Sequence, residues 1–228
     1  MKHLTGAIAL FFVAGTAGAQ VGHLPSQSPF VDLESSQELT FFAGHLKTGM
    51  DPIGVAPRGG PMYGLRYEIH IGGPAQLMAR YSHVNSERFP IDPTKSGAAA
   101  QLGRRSVALN LYDVNLVLNL TGQKSFHRIV PLLNLGAGIA SCSCKADLDP
   151  YSFGTPFAFS MGGGLRFVPG GRFQLRVDLN DYLYQLKYPT AYYLKPTTGP
   201  AAADAKQART FWKNNPAITL GASYLFFR

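Results

Sequence analysis

The chain has 228 residues, a formal net charge of +8, 25 glycines and 12% aromatic residues. This length suits one domain or one barrel. The Lys and Arg residues are scattered along the chain, and without a basic helix or run a nucleic-acid partner is not indicated. Abundant glycine and aromatic residues favour β structure with tight turns over a helical bundle.

The first residues have the pattern of an export signal. A basic start at Met1-Lys2 precedes the apolar stretch Ile8–Ala14, and small residues at Ala17–Ala19 fit a cleavage site. Because the apolar stretch is too short to span a bilayer, residues 1–19 are predicted to be a cleavable signal peptide. Residues 20–37 are then expected to form a periplasmic N-terminal arm, with a small plug as the alternative.

Eight strands are predicted from the alternation of apolar and polar side chains. Leu116, Leu118 and Leu120 alternate with Asn115 and Asn119, and a period of two is typical of a β-strand. Turn residues separate the alternating segments. The predicted strands span residues 38–47, 62–71, 76–85, 106–120, 128–141, 155–168, 172–186 and 216–227.

Short and long connections alternate between these strands. The second, fourth and sixth connections are short, and the others are long. Outer-membrane barrels combine tight periplasmic turns with long surface loops, whereas a soluble barrel has no physical reason to do so. The sequence therefore predicts an all-β fold, an eight-stranded antiparallel up-and-down transmembrane β-barrel over residues 38–228.

The polar face of the strands is predicted to point inward. Bulky apolar side chains occupy the other face, and an eight-stranded barrel has an interior only wide enough for side chains to fill. Tyrosines that include Tyr182 and Tyr184 are expected in an outer aromatic belt. Because buried charges must be paired, the inward charges should form a network. Its predicted members are Arg66, Glu68, His70, Arg80, Asp113, Arg166, Arg176 and Asp178.

The last strand ends in GASYLF, which resembles the C-terminal signal of bacterial outer-membrane barrels. Together with LNLTGQKSFHRIVPLLNLGAGIA, FSMGGGLRF and LRVDLNDYLY, residues 38–227 resemble the small outer-membrane β-barrel domain proteins of OmpA-like transmembrane type. The resemblance implies a bacterial outer-membrane location, an insertion signal at Gly221, Tyr224 and Phe226, and assembly by periplasmic chaperones and the barrel-insertion machinery. The peptidoglycan-binding domain of some relatives is not expected.

We predict a structural or surface-interaction role in the cell envelope. Three alternatives stay open: a narrow channel for ions or small solutes, a lipid A-modifying hydrolase, and a soluble periplasmic lipocalin-like binding barrel. A soluble barrel would reverse the two faces, with the charges in water and the phenylalanines in the core.

The hydrolase alternative depends on the stretch RYSHVNSERF. Resemblance to lipid A deacylases implies a histidine and a serine two residues apart near the outer rim, with a carboxylate nearby. Here Asn85 stands two residues after His83, and Glu87 is the nearest carboxylate. Ser82 and Ser86 would lie on the opposite face of the strand from His83. We therefore predict that the protein is not an enzyme.

Cys142 and Cys144 are predicted to form a local disulfide, which an exported compartment permits. Metal binding is not expected, because two thiolates fall short of the four ligands that a structural site needs. We expect no cofactor, and a monomer in contact with outer-membrane lipids.

The longest predicted loop, Lys187–Asn215, carries basic and aromatic side chains. Such groups fit the phosphates and sugars of lipopolysaccharide. The residues expected to make this contact are Tyr192, Tyr193, Lys195, Lys206, Arg209, Trp212 and Lys213.

Overall fold

The structure, a computed structural model, describes residues 28–33, 37–49, 51–196, 199–204 and 206–227. The predicted signal peptide lies outside these residues. In the described ranges, no helix is long and apolar enough to cross a membrane. The same ranges contain ten strands: β1 (Phe30–Asp32), β2 (Gln37–Leu46), β3 (Gly60–Gly72), β4 (Ala75–Arg88), β5 (Arg105–Asn119), β6 (Lys124–Phe126), β7 (Ile129–Cys142), β8 (Phe157–Phe167), β9 (Phe173–Lys187) and β10 (Thr210–Phe227).

Eight of these strands close into an antiparallel ring, which confirms the predicted fold class. Their order is β2-β3-β4-β5-β7-β8-β9-β10, and β10 pairs back with β2. Following paired residues around the ring from Gln37 on β2 leads to Pro216 on β10, whose carbonyl accepts the N–H of Lys47 at 2.7 Å. The path therefore starts at Gln37 and returns beside Lys47. This offset along the chain means that the strands are tilted relative to the barrel axis.

The largest difference from the predicted strand bounds is at β10, which begins at Thr210 instead of residue 216. The sequence prediction places Pro216 at the start of this strand, and proline has no N–H to donate to a neighbouring strand. The strand continues across it because the neighbouring N–H of Asn215 donates to Asp181 Oδ1 on β9 at 2.8 Å. A side chain thus replaces a backbone acceptor beside the proline.

The connections alternate as the sequence predicts. The β3–β4, β5–β7 and β8–β9 connections lie at one end of the barrel, and the long loops 47–59, 89–104, 143–156 and 188–209 lie at the other. β6 belongs to the β5–β7 connection and pairs with β1, where Phe30 lies opposite Phe126. Residues 30–32 are exposed. The described part of the predicted arm therefore lies against this connection.

The two faces of the barrel wall are the reverse of those in a soluble barrel. On β5 the side chains of Leu116 and Leu118 are 44% and 40% exposed, whereas Asn115 beside them is 1% exposed. Arg66 and Arg176 are buried in the interior. Bulky apolar side chains on the outside and charges inside suit a bilayer as the surrounding solvent. The lipocalin-like alternative is not supported.

The outer aromatic belt differs from the prediction on β9. Tyr63 and Tyr112 are exposed on the outer wall, but Tyr182 and Tyr184 are buried. The alternation that turns Arg176 inward continues unbroken along β9, so both tyrosines face the lumen. Their assignment to the belt was wrong.

Candidate functional site

The lumen contains four arginines and four carboxylates that contact one another. In its centre, Arg66 Nη1 lies 2.5 Å from Asp178 Oδ2, and Arg176 Nε donates to Asp178 Oδ1 at 2.8 Å. Arg176 also forms an ion pair with Glu68. These contacts join β3 to β9 across the interior, and the side chains are fully buried.

Arg166 on β8 extends this network towards the short-connection end. It donates through Nη2 to Glu68 Oε2 at 2.7 Å and to Gln76 Oε1 at 3.0 Å. Its Nη1 lies 3.3 Å from Glu38 Oε2 on β2. Glu38 was not among the predicted lumen residues. It lies two and four residues before Thr40 and Phe42, which also face inward, and this period of two could have identified it.

A second group in the lumen is centred on Asp113. Arg80 forms a two-pronged contact with this carboxylate, with Nη2 2.6 Å and Nε 3.1 Å from Oδ2. Ser160 donates to the same oxygen at 3.1 Å, and the amide of Asn115 also donates to it. The other oxygen, Oδ1, accepts from Arg80 Nε at 3.2 Å, so both oxygens of this buried acid have a partner, as burial of a charge requires.

Seven of the eight predicted lumen residues take part in these contacts. The exception is His70, which is half-buried near the short-connection end of β3. It takes no part in the ion pairs of the described residues.

The described parts of three of the long loops pack over the mouth of the barrel. We call this group the outer loop cluster: Asp51, Val55, Arg88, Cys144, Asp149, Tyr151, Tyr188 and Tyr192, all at most 8% exposed. Residues 51–55, 144–151 and 188–192 come from three different loops, and Arg88 is the last residue of β4. Non-local contacts therefore close this end of the lumen.

Arg88 is the centre of the cluster. Its Nε donates to the carbonyl of Val55 at 3.1 Å, its Nη1 to the carbonyl of Cys144, and its Nη2 to Asp149. The guanidinium lies 4.8 Å from the centre of the Tyr151 ring. The planar fork of arginine can hold several acceptors at once, so one side chain joins two loops to the barrel rim. The sequence analysis missed this residue.

Two carboxylates accept hydrogen bonds from loop tyrosines. Asp51 accepts the hydroxyl of Tyr188 at 2.5 Å and the N–H groups of Gly54 and Val55 at 3.0 and 3.1 Å. Asp149 accepts the hydroxyl of Tyr192. Burial, together with the adjacent carboxylate, raises the pKa of both tyrosines above the ordinary range.

Two of the predicted lipopolysaccharide contacts, Tyr192 and Lys213, are buried, so their prediction as surface contacts was wrong. Tyr192 is fully buried in the outer loop cluster, and Lys213 is 7% exposed because it occupies an inward position of β10. Tyr193 is half-buried, with the guanidinium of Arg209 5.2 Å from its ring centre. The remaining predicted contact residues are exposed: Lys195, Lys206, Arg209 and Trp212.

The predicted disulfide and insertion signal have defined positions. Cys142 and Cys144 are bonded to each other, with Cα atoms 5.1 Å apart, where β7 meets its long loop. On β10, Gly221 pairs with Phe42, and the ring of Tyr224 lies 5.2 Å from that of Phe226. In the described residues, no group of three or more His, Cys, Asp and Glu side chains could hold a metal ion.

The deacylase-like stretch does not bring a serine to a histidine. His83 lies on the outer wall, where Nδ1 is 2.8 Å from Asn110 Oδ1 and Nε2 is 3.2 Å from Asn85 Oδ1. Ser82 and Ser86 are buried on the lumen side of β4. The imidazole and the hydroxyls therefore lie on opposite sides of the barrel wall, where proton transfer between them is excluded.

The chain is similar in fold to solved outer-membrane barrels. Neisserial surface protein A has 11% identity and a TM-score of 0.50, with 87% of this chain and 98% of that one covered. Outer membrane protein AlkL has 16% identity and a TM-score of 0.48, with 91% and 97% covered. The outer membrane enzyme PagL has 14% identity and a TM-score of 0.40, with 83% and 99% covered.

No protein-family model and no curated protein sequence matches the chain. At these identities the structural likeness concerns the fold alone. The fold is that of the small outer-membrane β-barrels of OmpA-like type, as the sequence predicts.

Proposed function

We propose that the protein is an integral outer-membrane β-barrel with a closed lumen and a structural or surface-interaction role in the cell envelope. The observation that carries this proposal is the filled interior. Arg66 on β3 pairs with Asp178 on β9 across the interior, and Arg176 pairs with the same acid, so the ion pairs lie in the path that a solute would take.

A channel would need these pairs to separate. Separating a buried ion pair is costly, because it leaves two charges without partners in a poorly solvated space. The outer loop cluster is a second closure, since Arg88 and Asp149 hold the loops over the mouth. A closed barrel is therefore favoured over a narrow channel.

A surface-interaction role has its support in the exposed part of the long loops. Lys195, Lys206 and Arg209 are exposed and lie at the end of the barrel that is expected to face outward. Their charges suit the phosphates of lipopolysaccharide. Export by residues 1–19, assembly by periplasmic chaperones and the insertion machinery, and a monomeric state belong to the same proposal.

A non-enzymatic role is favoured by the position of His83. Its ring nitrogens contact two asparagine side chains, Asn85 and Asn110, and the serines of the same strand lie on the other face. Incubation of the refolded protein with lipid A, followed by mass spectrometry, should show no loss of acyl chains. Released fatty acid that disappears in a His83→Asn variant would establish the hydrolase instead.

Conductance in planar bilayers tests the closed lumen. Heat-modifiable gel mobility first establishes that the refolded protein is a barrel, and single-barrel insertion is then followed at constant voltage. The expected result is a silent membrane. Reproducible current steps from the wild type would overturn the closed-lumen proposal and favour the channel.

A matched pair of variants makes this result informative. Asp178→Ala removes a partner of both Arg66 and Arg176 in the network, whereas Asp204→Ala removes an exposed carboxylate of the last long loop. If the ion pairs of the lumen are the barrier, only Asp178→Ala should give intermittent current steps. Equal silence of both would place the barrier in the outer loop cluster.

A further inference from the structure

A groove of about 650 Å³ lies on the outer wall of the barrel, near the long-loop end. It crosses β8, β9, β10 and β2. Met161, Asp181 and Pro216 follow one another as paired residues across β8, β9 and β10, and the N–H of Lys47, the residue after the end of β2, donates to the Pro216 carbonyl at 2.7 Å. The four outward side chains therefore form one row across the wall.

The floor of the groove is shallow because its central residue is Pro216, whose ring cannot reach far from the strand. Leu179 and Ile218, which are 62% and 54% exposed, lie in the next row and give the groove an apolar lower part. Gly163, paired with Leu179 on β8, adds no side chain. The groove thus continues into the lipid-facing band of the wall as an apolar surface that fits an acyl chain.

Asp181 and Lys47, which are oppositely charged, stand on the two sides of Pro216. Asp181 lies on the β9 side, and Lys47 and His45 lie on the β2 side. Two strand spacings, about 10 Å, separate the two backbones. In the part of the chain that the structure describes, Asp181 forms no ion pair with Lys47 or His45.

The Asp181 carboxylate holds the backbone of β10 beside Pro216. Its oxygens accept the backbone N–H of Asn215 at 2.8 Å and the side-chain amide of Asn214 at 3.0 Å. Its carboxylate is therefore fixed in place, half-buried at the groove. Lys47, in contrast, is exposed on a long side chain and can adjust to a bound group. One wall of the groove is rigid and acidic, and the other is mobile and basic.

The groove lies at the level where headgroups meet acyl chains. Trp212 is on the same outer face of β10, two outward positions nearer the long loops than Pro216, and it is 51% exposed. His45 pairs with Pro61, close to the outward Tyr63 on β3. Amphipathic rings such as these mark the interface of a bilayer.

We propose that this groove binds a phospholipid with a zwitterionic headgroup. Lys47 and His45 contact its phosphate, Asp181 contacts its ammonium group, and one acyl chain lies over Leu179 and Ile218. Charge complementarity selects this ligand, because an anionic headgroup would satisfy Lys47 but would be repelled by Asp181. The inference depends on the proposed membrane location of the barrel.

The single tryptophan makes the site measurable. The barrel is refolded into vesicles of phosphatidylethanolamine and phosphatidylglycerol, with bromine on the acyl chains of one lipid at a time. Bromine quenches the fluorescence of Trp212 only at short range, so the quenching reports which lipid lies beside the groove. We expect phosphatidylethanolamine to be enriched about threefold over its bulk share, as suits partly exposed charge pairs.

Two variants test the assignment of the charges. Lys47→Gln and Asp181→Asn should each abolish the enrichment, and Asp181→Asn keeps an oxygen for the N–H of Asn215. Lys187→Gln, an exposed lysine on the same wall and outside the groove, is the matched control and should leave the enrichment unchanged.

The outcomes separate this inference from the proposed function. Quenching that follows the bulk lipid composition, or enrichment of phosphatidylglycerol, would overturn the groove assignment while leaving the membrane barrel intact. An absence of quenching by either brominated lipid would mean that the wall does not face a bilayer, and the proposed function would fail first.

Discussion

Asp178 on β9 lies directly opposite Gly164 on β8, and a methyl group on Gly164 would come within 2.6 Å of the carboxylate oxygen Oδ1. Asp113 and Gly138 are paired in the same way on β5 and β7, where a methyl group on Gly138 would come within 2.8 Å of the Asp113 Cβ. Glycine on one strand therefore provides the space that the acid on the next strand occupies. Without it, a narrow barrel could not hold both the acid and its arginine partner.

Gly164→Ala should destabilise the barrel by about 1–3 kcal/mol, because the added methyl group would clash with the Val177 carbonyl oxygen and come within 2.6 Å of Asp178 Oδ1. Urea unfolding in vesicles, followed by gel mobility, measures the effect. Gly163→Ala on the outer face is the control, since its nearest neighbours would lie 3.2 Å away. Equal stability of the two variants would contradict this account of the lumen glycines.

Removing one partner of the Arg80–Asp113 pair should cost more than removing both charges. Arg80→Leu leaves a buried carboxylate without its cation, at about 3–5 kcal/mol of unfolding free energy. Arg80→Leu combined with Asp113→Asn removes the stranded charge, so part of the stability should return. A double variant that is less stable than the single one would contradict the pairing as the main contribution.

Arg88→Met should loosen the outer loops and leave the barrel folded. The substitution removes donors to Val55, Cys144 and Asp149 together, so external protease should cut the long loops about tenfold faster. Arg104→Met is the matched control, because Arg104 and Glu87 form an exposed pair of little energetic worth. Unchanged cleavage in Arg88→Met would mean that other contacts hold the cluster.

The loop tyrosines should ionise late in an alkaline titration. Burial and the hydrogen bond to Asp149 raise the pKa of Tyr192 above its ordinary value near 10. Because the folded-state pKa is raised, the stabilisation is complete below pH 10 and is lost as the pH rises through the folded-state pKa. Absorbance of tyrosinate measures this, and Tyr192→Phe should remove late-ionising signal.

The ring of strands and the direction of its faces follow from the sequence because each is a local property. The alternation around Asp113 or Arg176 reports which way each side chain points, and connection length reports which end is which. The error at Tyr182 and Tyr184 came from assigning aromatic residues to a belt in spite of the alternation. The period of two along the strand predicts the correct, inward direction of both tyrosines, whereas their aromatic character suggested the wrong one.

The outer loop cluster could not be predicted in the same way. Arg88, Asp149 and Tyr192 belong to separate parts of the chain, and no periodicity relates them. The role of Asp181 was hidden for the same reason, because it depends on Pro216 lying opposite on β10. Contacts between distant segments leave no local pattern.

The arginines and carboxylates of the lumen are equal in number, four of each, so their charges cancel. The formal charge of +8 is therefore carried by the rest of the chain. Added salt should barely affect the interior, because buried pairs are screened far less than exposed charges. It should instead weaken the long-range attraction of the exterior for anionic surfaces, so ionic strength separates the proposed surface interaction from the stability of the barrel.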